Sequence, residues 1–98
     1  MNHINAIEAT DQEILATLGE RLAALRKERG LTQSEAAERS GLSRPTLSRA
    51  ERGENPTLQT LVRLLRAYGR LGALAAFLEP AEISPMDRLR ERRRATDG

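Results

Sequence analysis

Residues 31–53 read LTQSEAAERSGLSRPTLSRAERG, and this stretch decides the fold. Thr32-Gln33-Ser34-Glu35 has the spacing of a capping box, in which a hydroxyl accepts the backbone N–H three residues on and the acid there reaches back. The helix it opens ends at Gly41 after about nine residues, because glycine takes the left-handed backbone that closes a helix. Ser43 follows as the next N-cap, and Pro45 stands in the first turn, where its missing N–H costs nothing. A further short helix is expected over 44–52, closed by Gly53. Two short helices joined by Gly41-Leu42-Ser43, with Leu42 plugging the core, make a helix-turn-helix.

On the N-terminal side, Thr10-Asp11-Gln12-Glu13 repeats the capping-box spacing. Leu15, Leu18, Leu22 and Leu25 then recur at helical intervals until Gly30, a stripe expected to face the core. On the C-terminal side, Asn55-Pro56-Thr57 opens a fourth helix with Leu58, Leu61, Leu65 and Tyr68 on one face and Gly69 behind it. Leu71, Leu74 and Leu78 keep helical spacing up to Pro80, although Gly72 weakens the segment. Ser84-Pro85-Met86-Asp87 has the form of another helix start, and Arg dominates 88–94. The fold is read as all-α: an N-terminal arm over 1–10, a five-helix domain over 11–79, and an Arg-rich C-terminal extension over 80–98 with a short helix of its own.

Composition narrows the function. The 98 residues suit one domain, and a 39% hydrophobic fraction supplied mostly by Leu and Ala favours helices. With no Cys and one His, His3, the chain offers neither a disulfide scaffold, a zinc finger nor thiol or imidazole catalysis. No nucleophile-base-orienter set, metal cluster or phosphate-cradling glycine loop can be assembled, so no enzyme, metal or cofactor is expected. The longest uncharged, proline-free run, 71–78, falls far short of the roughly 20 residues that span a bilayer, so no membrane partner is expected. Residues 1–20 carry Glu8, Asp11, Glu13 and Glu20 without Lys or Arg; with no basic leader, a cytoplasmic location is expected.

The formal net charge is only +2, but it is unevenly spread. Residues 1–20 carry four net negative charges, and 21–53 hold eight basic residues against four acids. All the basic residues but Lys27 are Arg, the side chain suited to bidentate contact with phosphate or guanine edges. A polyanion partner fits this pattern, although Arg44 or Arg49 taken alone is an ordinary solvated charge. RNA is disfavoured because Tyr68 and Phe77, the only aromatics, both fall on apolar faces rather than on a stacking platform.

Leu31-Thr32-Gln33 with Ala37, Gly41-Leu42-Ser43, Thr46-Leu47-Ser48-Arg49, then Glu51-Arg52-Gly53 and Pro56 resemble the phage-repressor (Cro/cI, or XRE) helix-turn-helix family over residues 15–69. The resemblance implies a lambda-repressor-like domain whose helix from Gln33 lies across the DNA backbone while the helix from Arg44 enters the major groove. It implies Gln33 on a phosphate and Arg44, Pro45 and Arg49 facing base edges, with Ser43, Thr46 and Ser48 beside them. Arg52 and Asn55, before the fourth helix, are further phosphate candidates. It also implies that Glu51 pairs with Arg26, since an uncompensated carboxylate facing DNA opposes binding. Two departures bear on the fold. Ala36 and Ala50 stand where the family commonly has larger apolar residues, leaving volume for Tyr68 and the leucines; Pro45 disfavours the α conformation at Arg44, so the helix is expected to begin at Pro45 with Arg44 splayed toward the backbone.

A lone domain of this size reads few base pairs, so a homodimer on a two-fold site in double-stranded DNA is expected. Leu71, Leu74, Phe77 and Leu78 cannot share one narrow stripe, which makes them the candidate dimer interface. The expected function is that of a sequence-specific transcriptional regulator, an autorepressor, with the antitoxin of a toxin–antitoxin pair and hence a toxin protein partner as one setting. The alternatives are the controller of a restriction-modification operon, a phage-type repressor, or an interaction module that has lost DNA binding.

Overall fold

The computed structural model describes residues 8–77, 79 and 80. Five helices follow one another: α1 (Asp11–Glu28), α2 (Gln33–Ser40), α3 (Arg44–Glu51), α4 (Leu58–Ala67) and α5 (Leu71–Phe77), with no strand among the described residues. Residues 1–7 of the arm, Leu78, and the Arg-rich extension from 81 onward with its helix start at Ser84 lie outside the described residues.

Local chemistry sets the helix starts. At α2 both arms of the capping box form: the Glu35 N–H donates to Thr32 Oγ1 at 3.1 Å, and the Thr32 N–H donates to Glu35 Oε1 at 2.9 Å. At α1 only half forms, because the Glu13 carboxylate accepts from the Thr10 hydroxyl at 3.1 Å rather than from its backbone N–H. Ser43 caps α3 and Thr57 caps α4, each accepting the N–H three residues on, at 3.2 and 3.0 Å. Helix α3 begins at Arg44 and not at Pro45, so Arg44 is helical rather than splayed: the Ser43 cap fixes the start one residue earlier and overrides the preference that Pro45 imposes on Arg44. Gly41, at φ 72°, ends α2 and turns the chain, and the Leu42 N–H returns to the Ala37 carbonyl at 3.0 Å. From α4, Arg63 Nη1 donates to the Gly41 carbonyl at 3.0 Å and ties down the turn.

Helix α3 packs against α1, α2 and α4, α2 also packs on α4, and α5 packs on α4. The core is Leu22, Leu31, Leu47, Leu64, Leu65 and Tyr68 with Ala36, Ala37 and Ala50. Ala36 and Ala50 are wholly enclosed, and Tyr68, in the same cluster, is the largest fully buried side chain.

Three apolar positions differ from the sequence expectation. Leu18 is 43% exposed, because α1 turns Gly19, Leu22 and Arg26 inward. A glycine and an arginine occupy buried positions that a leucine count assigns elsewhere. Leu58, first residue of α4, is 79% exposed, because Thr60 takes the inward position in that turn and Leu64 and Leu65 continue it. Phe77, expected on an apolar face, is 72% exposed.

Candidate nucleic-acid interface

The short α3 is sharply two-sided. Leu47 and Ala50 are buried, whereas Arg44, Pro45 and Arg49 are exposed. At 3.6 residues per turn, positions 44, 48, 45 and 49 span an arc of about 140°, enough to present one continuous face. Ser48 is half-buried within that arc, and its Oγ accepts from Arg52 Nη1 at 2.7 Å, which folds Arg52 back along the helix. Arg52 Nε also donates to Glu54 Oε2 at 2.7 Å; this bond holds the Glu54 carboxyl below its ordinary pKa. The pair is solvent-exposed and contributes little to stability. Asn55 is exposed at φ 44°, a left-handed conformation that its short polar side chain tolerates.

Ser43 and Thr46 serve the cap. The Ser43 hydroxyl donates to Thr46 Oγ1 at 2.8 Å as well as accepting the Thr46 N–H. Their first role is thus to define where α3 starts, and with it where Arg44 and Pro45 stand.

Behind α3 lies a buried polar network. Arg26 Nε meets Glu51 Oε2 at 2.6 Å and Arg26 Nη2 donates to Glu51 Oε1 at 3.1 Å, a fork in which both side chains are about nine-tenths enclosed. Arg26 Nη1 donates to the Leu31 carbonyl at 2.8 Å, so the guanidinium joins α1, the loop before α2 and the end of α3. The hydrogen bond to Glu51 raises the Arg26 pKa further, against the opposing effect of burial, so Arg26 stays charged. Gln33 Nε2 donates to the same Glu51 Oε1 at 3.0 Å.

The structure therefore brings Arg26, Gln33 and Glu51 together behind an exposed row of Arg44, Pro45, Arg49 and Arg52. One amide hydrogen of Gln33 is engaged by Glu51 and the second is left for another acceptor. Sequence reading missed the Gln33–Glu51 bond. Its signal was the spare lone pairs of a carboxylate already held by Arg26 beside the start of α2. Leu71 and Phe77 stay exposed on α5, Leu74 is half-buried against the core, and Leu78 is outside the described residues.

A helix-turn-helix family model matches residues 22–72, the stretch from the middle of α1 to the start of α5. The chain belongs to this family, in its phage-repressor branch. It is 51% identical over 53 residues to the HTH-type transcriptional regulator y4dJ of Sinorhizobium fredii, covering 53% of this chain and 69% of that one. It is 48% identical over 54 residues to the immunity repressor protein of Bacillus phage phi105, covering 54% of this chain and 38% of that one. The HTH-type transcriptional regulator PuuR of Escherichia coli is 41% identical over 63 residues, covering 63% of this chain and 34% of PuuR. The match thus takes in most of the first relative and little more than a third of the other two. Among the described residues no group of His, Cys, Asp or Glu forms a metal cluster, and no helix is long and apolar enough to cross a membrane.

Proposed function

We propose that the protein is a sequence-specific DNA-binding repressor that reads a two-fold operator as a homodimer, with α3 in the major groove. The observation that carries this reading is the two-sidedness of α3: Leu47 and Ala50 are buried while Arg44, Pro45 and Arg49 are exposed on a helix capped at its start and pinned at its end by Glu51. In this reading Arg44 and Arg49 address base edges, Arg49 by a bidentate pair with guanine, and Pro45 gives apolar contact to a thymine methyl. Gln33 uses its second amide hydrogen on a phosphate, and Ser43, Thr46, Ser48, Arg52 and Asn55 flank the backbone. The domain over 11–79 carries the DNA contacts, and Leu71, Leu74, Phe77 and Leu78 form the dimer surface.

In this reading repression is by occlusion of a promoter, its own included, or by holding a partner. The antitoxin role, with a toxin bound through the Arg-rich extension over 80–98, is one form of this reading. The repressor among the relatives supports the regulatory sense of the assignment.

Selection of an operator from a random-sequence duplex pool tests it, followed by titration of singly substituted operators at one fixed salt concentration. Arg49→Ala is expected to lose about 1–3 kcal/mol on the selected operator and to flatten discrimination at one base pair per half-site. Gln33→Ala is expected to weaken all operators by a similar factor. Failure of the wild-type protein to enrich any sequence overturns the proposal, and uniform loss by Arg49→Ala removes that residue from base reading.

A further inference from the structure

Helix α1 holds the end of α3 at two points. At the first, Gly19 is buried against the last turn of α3 so closely that a Cβ there would lie 2.5 Å from the Glu51 carbonyl oxygen, 2.9 Å from that of Ala50 and 2.8 Å from the Gly53 nitrogen. Gly53 answers from the other side, where a Cβ would lie 2.6 Å from the Leu15 carbonyl oxygen and 2.8 Å from the Ala16 Cα. All these neighbours are backbone atoms, so none can swing aside. Approaches of this kind let backbone carbonyls meet Cα–H groups at helix contacts. At the second point, two turns further along α1, Arg26 takes the carboxylate of the same Glu51.

We propose that Gly19 and Arg26 are positioning residues that together set the angle at which α3 is presented to DNA, with Gly53 completing the close approach. The inference rests on α3 being the recognition helix. A single contact leaves a helix free to pivot about it; α1 grips the end of α3 twice, at the Glu51 backbone by Gly19 and at the Glu51 carboxylate by Arg26, from positions about 10 Å apart along α1, and this removes that freedom. A methyl group at Gly19 must open its end of the contact by roughly 1 Å to reach an ordinary van der Waals distance. With Arg26 still holding the Glu51 carboxylate, that opening at the Glu51 backbone tilts α3 and moves its far end by something on the order of 1 Å or more. Base-reading side chains lose function at displacements of about 0.5 Å and more, whereas attraction to phosphates is tolerant of them.

The test is Gly19→Ala in the full chain. Amide residual dipolar couplings measure the angle between α1 and α3, and affinities are taken for the selected operator and for random-sequence duplex at one salt concentration. Thr57→Ala, which removes the α4 cap away from this contact, serves as a control for mere loss of stability. The expected result is a changed interhelical angle, a loss of about tenfold or more on the operator and of less than about twofold on random duplex, while Thr57→Ala keeps the wild-type ratio. An unchanged angle, or operator and random affinities that fall together, overturns the proposal. If Gly19→Ala does not fold, Arg26→Lys, which keeps the charge and loses the fork, must show the same split, and a preserved ratio overturns it. If the wild-type protein selects no operator, the DNA reading fails, and the couplings still decide whether Gly19 sets the angle.

Discussion

Glu51 accepts from Arg26 and Gln33 in a nearly dry site, so each partner is costly to leave alone. Glu51→Ala or Arg26→Ala is expected to destabilise the fold by roughly 3–5 kcal/mol, and the double variant by clearly less than the sum, because the second change removes a charge already stranded by the first. Strict additivity in a denaturant or thermal double-mutant cycle would speak against the pair. Tyr68 provides the opposite case. It is 1% exposed, its hydroxyl makes no hydrogen bond with the described residues, and burial first, then the Glu51 charge, pushes its pKa up to about 12. Because the folded value lies above the unfolded value of about 10, the folded state holds its proton more tightly. The associated stability is complete below pH 10 and is lost as pH rises through about 12. Tyr68→Phe is therefore expected to melt at the wild-type temperature or above at neutral pH, since it removes an unpaired polar group, and to lack the alkaline loss. With one Tyr and no Trp, tyrosinate absorbance reports this group alone. A variant weaker by more than about 1 kcal/mol at neutral pH would mean that the hydroxyl has a partner.

Helices of eight residues such as α2 and α3 depend on their ends. Thr32→Ala is expected to cost about 1 kcal/mol and more than Thr10→Ala, because α2 is short and its box is complete, whereas α1 is long and its box is half made. The backbone N–H of Thr32, and then its hydroxyl, hold the Glu35 carboxyl below its ordinary pKa. That contribution is present above the unfolded carboxylate range and is lost as pH falls through the folded value, so Glu35→Gln should flatten the acid side of a melting-temperature profile. An unchanged acid limb would assign that dependence to other carboxylates. These elements are the legible ones: Thr32, Ser43, Thr57 and Gly41 act on neighbours within a few residues, so their sequence spacing is the interaction. The inward face of α1 is not legible by counting leucines. Gly19 is buried because of the backbone at Gly53, 34 residues away, and Arg26 because of a carboxylate 25 residues away, a pairing that the family resemblance implied and the leucine spacing does not. The exposure of Leu18 and Leu58 follows from the same nonlocal placement, as does the Gln33–Glu51 bond. The outward row on α3 was readable because Leu47 and Ala50 mark the inner side by themselves.

At the scale of the whole molecule, α5 is the element that the fold uses least. It has no buried residue, it packs on α4 with Leu74 half-covered, and Leu71 and Phe77 remain exposed. A large apolar side chain held in water on a helix end contributes little to folding, so its removal separates assembly from stability. Phe77→Asp is expected to leave the helical circular dichroism and melting temperature of the monomer unit intact while shifting sedimentation from dimer to monomer. Linked half-sites owe much of their affinity to the second, effectively intramolecular contact, so binding to the full operator should fall by about 10²- to 10⁴-fold, with binding to an isolated half-site unchanged. The comparison with the half-site is decisive, since a damaged recognition helix weakens both sites and a lost dimer weakens only the full one. If Phe77→Asp still sediments as a dimer, the exposed Leu58 on α4 becomes the next surface to vary, and α5 then serves only to close the domain beside Leu74.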